Sequence, residues 1–291
     1  MMKEKMIALI PAPLLNTLQR LRLKVNLALP YSPMPFSLSD LPTPDGRSGY
    51  ADILERESKP FKRTMRKLLS YVGAGPVGPN KYWEYPWVMR NLDLKPGLKI
   101  LDAGCGRAPL QFLLAELGME MHGIDPNENV GWHGIDRRLA AKYGLTVHYK
   151  VEGMEHLSYP DEMFDRVMSV SVLEHCRALP VKNDRQTPQC KADFGLQGRM
   201  LSEMARVLKK GGRLLVTLDV MFPDAETLLE CNLNVVNLIQ SSGLTLQETV
   251  PEGFYGQPDF DIRRVMERKN LSLEVYEGHP GTSLALIFRK E

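Results

Sequence analysis

From about residue 97 onward, short apolar runs alternate with stretches whose apolar positions recur at helical spacing. "LKILDA" is a continuous apolar run of strand length. The stretch after it, "PLQFLLAEL", opens on Pro109 and closes at Gly118, as a helix does when proline takes its first turn and glycine follows its last. "MEMHGID" predicts a second strand, "WHGIDRRLAAKY" a helix interrupted by Gly134, and "LTVHYKV" a third strand. "MFDRVMSVSVL" predicts the fourth, "GRMLSEMARVLKK" a helix stopped by Gly211 and Gly212, and "RLLVTLDV" the fifth. A helix over "AETLLECNLNVVNLIQSSG" and a closing pair of strands within "LSLEVYEGHPGTSLALIFRK" complete the pattern. Strand and helix in alternation predict an α/β fold, a parallel sheet with helices on both faces.

Residues 1–90 read differently. Two helix-like stretches, "LLNTLQRLRLKVNLAL" and "YADILERESKPFKRTMRKLLSYV", flank the proline-rich "PYSPMPFSLSDLPTPDG". Their leucines, with Tyr82, Trp83, Tyr85 and Trp87, are too apolar to stay solvated as a tail. The expectation is an N-terminal helical extension over residues 1–90 that caps a domain of residues 91–291, with "YWEYPW" walling a pocket at the strand ends. "KPFKRTMRK" carries five cations in nine residues and predicts a solvated helix face, with contact to an anion or a membrane surface as the alternative.

Composition narrows the function. A net charge of +2 gives no global field for nucleic acid, so none is expected as a partner. Cys105, Cys176, Cys190 and Cys231 form no CxxC pair or framework spacing, which predicts reduced thiols and a cytoplasmic setting. No stretch is long enough to span a membrane, and the histidines show no ligand spacing, so no metal is expected. Oligomeric state has no signal in the sequence.

In a parallel sheet, ligands bind beyond the carboxyl ends of the strands. Those ends carry Asp102, Gly104 and Gly106 after the first strand, Asp125 after the second, Glu174 and His175 after the fourth, and Asp219 after the fifth. Glycines allow close approach of backbone to ligand, while Asp102 would repel phosphates and attract a cation. Asp125, about 20 positions after Gly104, suits a pair of ribose hydroxyls, as in dinucleotide folds. Here, however, Pro109 stands where a dinucleotide fingerprint asks for glycine or alanine.

Four segments in order, "LDAGCGRAP", "HGIDP", "MEHLSYPDEMFDRVMSVSVLEH" and "RVLKKGGRLLVT", make residues 97–220 resemble the class I S-adenosylmethionine-dependent methyltransferases. The resemblance implies a Rossmann-like methyltransferase fold, with a mostly parallel seven-stranded sheet and an antiparallel last strand. It implies S-adenosylmethionine as cofactor and S-adenosylhomocysteine as product, held by Asp102, Gly104, Cys105, Gly106, Asp125, Pro126, Gly153, Met154, Glu155 and Ser171. One departure is Gly153, where the family commonly carries an aspartate. His175 is then the candidate general base, oriented by Glu174, for in-line transfer to an oxygen or nitrogen. A small metabolite, or a glycan or lipid precursor, is the expected acceptor class, and Lys182, Arg185 and Lys191 hint at an anionic one. A non-catalytic S-adenosylmethionine-binding protein and an RNA methyltransferase are the alternatives.

Overall fold

The computed structural model describes residues 34–71, 77–106, 108–126, 137–176, 193–222, 233–276 and 279–291, with Val25 and Ala28. In chain order the first half comprises β1 (Gly49–Tyr50), α1 (Ile53–Glu57), α2 (Lys59–Leu69), α3 (Lys81–Asn91), β2 (Lys99–Ala103), α4 (Leu110–Glu116), β3 (Glu120–Asp125), α5 (Arg137–Lys142) and β4 (Val147–Val151). The second half comprises β5 (Phe164–Val170), α6 (Phe194–Val207), β6 (Leu208–Met221), α7 (Val235–Ser242), β7 (Thr245–Leu246), α8 (Ile262–Met266), β8 (Glu274–Tyr276) and β9 (His279–Arg289).

The sheet runs β1-β9-β6-β5-β2-β3-β4. β4, β3, β2, β5 and β6 are parallel, and β9 lies antiparallel to β6, as the expected fold requires. Three short strands share the outer edge of β9: β7 opposite Arg289, β1 opposite Ala285 and β8 opposite Gly281. The sequence reading kept residues 1–90 outside the sheet, but Gly49 and Tyr50 join it. A two-residue strand has no periodicity to read, and its partner lies more than two hundred residues away.

Two apolar layers cover the sheet. One face of the strands, with Leu101, Ile124, Val167, Leu214 and Leu286, packs on Leu201 and Met204 of α6 and Leu238 of α7. The other, with Ile100, Met121, Met168, Leu215 and Ile287, packs on Phe61 and Leu68 of α2, Trp83 and Trp87 of α3, and Leu113 of α4. Each of these large side chains contributes about 1.5–3 kcal/mol by leaving water. Trp83 and Trp87 stack at 5.8 Å inside this second layer, so they serve the core rather than a pocket wall.

Other boundaries move for local reasons. The stretch expected as one helix over residues 50–72 breaks at Ser58, which ends α1 and caps α2 by accepting from Phe61 N, with Pro60 in the first turn. Helix α6 stops at Val207, not at Gly211, because Leu208 already pairs with Phe164 across a bulge. Apart from Val25 and Ala28, the first expected N-terminal helix (residues 14–29) lies outside the described residues, as do residues 177–192.

The cationic run on α2 divides: Lys59, Lys62, Arg63 and Arg66 are exposed, whereas Lys67 is fully buried. Its ammonium lies 2.5 Å from Glu116 and donates to Met34 O at 3.0 Å, and Tyr71 donates to the same carboxylate. Helical spacing put Lys67 on the inner face, and Glu116 of α4 neutralises it there. Glu116→Leu strands that charge and should cost roughly 3 kcal/mol in a denaturant melt, with Lys67→Met in addition restoring most of the loss. Equal stability of Glu116→Leu and wild type would contradict this.

Candidate active site

The turn after β2 is built for close approach. Gly104 has φ +76 and a Cβ there would sit 2.6 Å from Val172, so only glycine fits. Gly106, at φ +46, borders open space, and its N–H donates to Asp125 Oδ2 at 3.0 Å. Gly104 N and Cys105 N both donate to Ile124 O, at 3.0 and 2.9 Å, which ties the turn to the end of β3. Cys105 turns its side chain inward against Gly123, and burial pushes its thiol pKa up. Its contribution to the site is backbone. Pro126 follows on the surface.

Asp102 is 2% exposed and accepts from Gln111 Nε2 at 3.0 Å. Burial pushes its carboxyl up to about 7, Gln111 pulls it back, and the charge of Asp125 adds to the rise. A desolvated acid at this point wants a cation, and Gly104 and Gly106 leave the backbone beside it without a Cβ. Both features fit the sulfonium and ammonium of S-adenosylmethionine.

Side chains alternate along a strand, so Asp102 of β2 and Asp219 of β6 point to the face that carries Ile100 and Leu215. Helix α3 covers that face. Asn80 caps α3, accepting from Lys81 N at 3.0 Å, and donates to Asp219 Oδ1 at 2.8 Å, which anchors the helix to the end of β6. Lys81 Nζ lies 2.5 Å from both Glu84 Oε2 and Ser171 Oγ. Ser171, with φ 52, donates to Glu84 Oε1 at 2.8 Å, and Asp219 Oδ1 is 3.3 Å away. Burial works against the Lys81 ammonium, but Glu84 and Asp219 outweigh it and raise its pKa. Burial and the charge of Glu84 push Asp219 up to about 6.

Glu174 and His175 sit on a single 3-10 turn after β5. Glu174 is buried, accepts from Asp219 N at 3.0 Å, and keeps its second oxygen unbonded; burial, then Asp219, hold its pKa well above the usual range. His175 is exposed, and ligand atoms of Glu174, His175 and Asp219 all lie within 4.8 Å of one another. Glu120, His122 and His148 form a second such donor set, brought together by β3–β4 pairing rather than by sequence spacing.

Of the adenine-loop residues, Met154 buries its side chain in the core, and Glu155 is exposed with its carboxylate folded over Gly153, where a Cβ would otherwise stand. Glu155 thus fills the space that the family's usual aspartate side chain would take at this point of the loop. The structure gathers Asp102, Gly104, Gly106 and Asp125 in one group, and Ser171, Glu174, His175 and Asp219 in another. Sequence reading missed Lys81, Glu84 and Asn80. The available signal was a lysine and a glutamate three apart inside "NKYWEYPW", an otherwise apolar helix.

Residues 101–216 match the family described as "Methyltransferase domain". That segment is a class I S-adenosylmethionine-dependent methyltransferase domain. A ubiquinone biosynthesis O-methyltransferase of Methylocella silvestris is 44% identical over 80 residues, 27% of this chain and 30% of that protein. A phosphoethanolamine N-methyltransferase of Zea mays is 34% identical over 111 residues, 38% of this chain and 21% of that one. The chain thus spans less than a third of the length of these two relatives. A solved geranyl diphosphate methyltransferase is 15% identical, covers 84% of this chain and 97% of its own, and has a TM-score of 0.47.

Asp125→Ala tests the cofactor end of the site. It removes a charged acceptor worth about 1.5–3 kcal/mol per hydrogen bond, so calorimetric affinity for S-adenosylhomocysteine should fall at least about tenfold while the melting transition persists. Unchanged affinity would remove Asp125 from the site.

Proposed function

We propose that this chain is an S-adenosylmethionine-dependent methyltransferase acting on an oxygen or nitrogen of a small molecule, a metabolite or a glycan or lipid precursor. The observation that carries the reading is Asp102, desolvated beside the turn of Gly104 and Gly106, with Asp125 at the next strand end. When bound, the cofactor supplies an activated methyl group for in-line displacement. The chain then has to hold the acceptor in line, exclude water and take up its proton.

Asp102 and Asp125 grip the two ends of the cofactor's adenosyl and sulfonium portion, by charge at one end and ribose hydrogen bonding at the other. His175 stands exposed on the turn after β5, where its imidazole is the proposed acceptor of that proton. Asp219 stabilises the resulting imidazolium at short range, and burial disfavours the charged form of Glu174 beside it. An oxygen or nitrogen that must lose a proton suits this arrangement. The names of the matched relatives, one an O- and one an N-methyltransferase, support the same two acceptor atoms.

Incubation with methyl-labelled cofactor and a fractionated extract, read by mass spectrometry, should reveal one small molecule that gains a methyl group. His175→Ala should lower its turnover about a hundredfold, the range for a lost general base, with cofactor affinity unchanged. Label appearing in no product would favour a non-catalytic binding protein; wild-type turnover in the variant would return His175 to a loop role.

A further inference from the structure

The proposed reaction makes no use of Glu120, His122 and His148, and their place in the fold is separate from it. Glu120 opens β3 and Asp125 closes it, roughly 16 Å further along the strand, so the set lies toward the end of the sheet away from the glycine turn. β3 and β4 pair in parallel with His122 opposite His148, and alternation puts Glu120 on the same face, two residues before His122. β4 is the last strand of the sheet on that side.

Packing accounts for part of this cluster. The His122 and His148 rings stack at 4.7 Å, and the rings of Tyr159 and Phe164 meet His122 edge-on at 5.6 and 5.1 Å. The polar atoms need a different reason. The His122 side chain is only 9% exposed, yet the protein engages one of its nitrogens: Nε2 lies 3.1 Å from Glu120 Oε1, while Nδ1 is buried without a partner. A buried polar atom left unmet calls for an explanation. One ligand atom from each of Glu120, His122 and His148 lies within 4.8 Å of the other two. Neighbouring ligands of a tetrahedral zinc ion stand about 3.3 Å apart, so His122 Nε2 and Glu120 Oε1 need little adjustment to share one.

We infer that Glu120, His122 and His148 bind a divalent metal ion of the zinc type, which ties the edge strand β4 to β3. Two imidazoles and one carboxylate suit zinc, whereas magnesium and calcium call for oxygen ligands throughout. Three protein ligands leave a fourth position for water, and the rings of Tyr159 and Phe164 wall one side of the site. Lys99 is the competitor. Its ammonium lies 3.1 Å from Glu120 Oε1, and at 41% exposure it can move into water when the metal arrives. Lys150, the next residue of β4 on this face, is turned to Ser158 Oγ and the Tyr159 ring instead. The site stands whether or not the cofactor reading holds.

Zinc chloride titrated into the full chain by calorimetry, with visible absorption of bound cobalt(II) as a second readout, tests the site. Wild type should bind zinc in the presence of excess magnesium. Its melting midpoint should rise by about 5 °C at a hundredfold excess of zinc over the dissociation constant. His148→Ala, at an exposed position, should weaken that zinc by about a hundredfold, and Glu120→Gln by about tenfold or more. Lys99→Met should strengthen it by up to about fivefold, the scale of an exposed ion pair. His175→Ala should leave it in place, which separates this set from Glu174, His175 and Asp219. Wild type that binds no zinc overturns the site without any variant. Zinc binding that survives His148→Ala unchanged, or that is lost in His175→Ala, overturns it as well.

Discussion

Five parallel strands that end at a common edge, with α3 laid across one face, force several acids out of water together. Asp102, Asp219, Glu174 and Glu84 all sit at that edge, and each is nearly or fully buried except Asp219, which is bonded to Asn80. Burial there raises the pKa values of Asp102, Asp219 and Glu174, and the charge of Asp219 adds to the rise at Glu174. Lys81 pairs with Glu84, burial disfavours the charged form of Glu174, and burial raises Asp102 to about 7. That poise ties the fold to its ligand, since a cation arriving at Asp102 supplies the charge the apo site lacks.

The same arrangement separates two tasks. In the proposed reading, the turn at Gly104 and Gly106, tied to Ile124 and Asp125, would hold the cofactor. The 3-10 turn of Glu174 and His175, tied to Asp219, would take up the acceptor's proton in the same reading. Ser171 and Asn80 tie Asp219 to α3 on the acceptor side.

Much of this was legible in the sequence, for physical reasons that can be named. Strands buried on both faces read as unbroken apolar runs, so β2, β3, β5 and β6 stood out, and the architecture then placed Asp102, Asp125 and His175 at their ends. Glycines at Gly104 and Gly106 marked the turn because side chains do not fit there or are not wanted. What stayed hidden depends on long-range contact. β1 is too short for periodicity, Lys67 looked like one more surface cation until Glu116 was seen beneath it, and Glu120, His122 and His148 converge only through strand register. Lys81 and Glu84 escaped notice because aromatic neighbours made "YWEYPW" look like a pocket wall, whereas its tryptophans belong to the core and Lys81 and Glu84 bond Ser171 at the end of β5.

The central claim is that Asp102 waits, partly protonated, for a cationic ligand. For an acid whose folded pKa is raised from 3.8 to about 7, the proton is held at pH 6 and is released when a cation favours the ionised form. Titration of S-adenosylmethionine into the protein at pH 6, by calorimetry in buffers of different ionisation enthalpy, counts that proton. The account predicts release of close to one proton per cofactor bound, falling toward zero at pH 8 and absent in Asp102→Asn. Tight binding at pH 6 with no proton released by the wild type would contradict it.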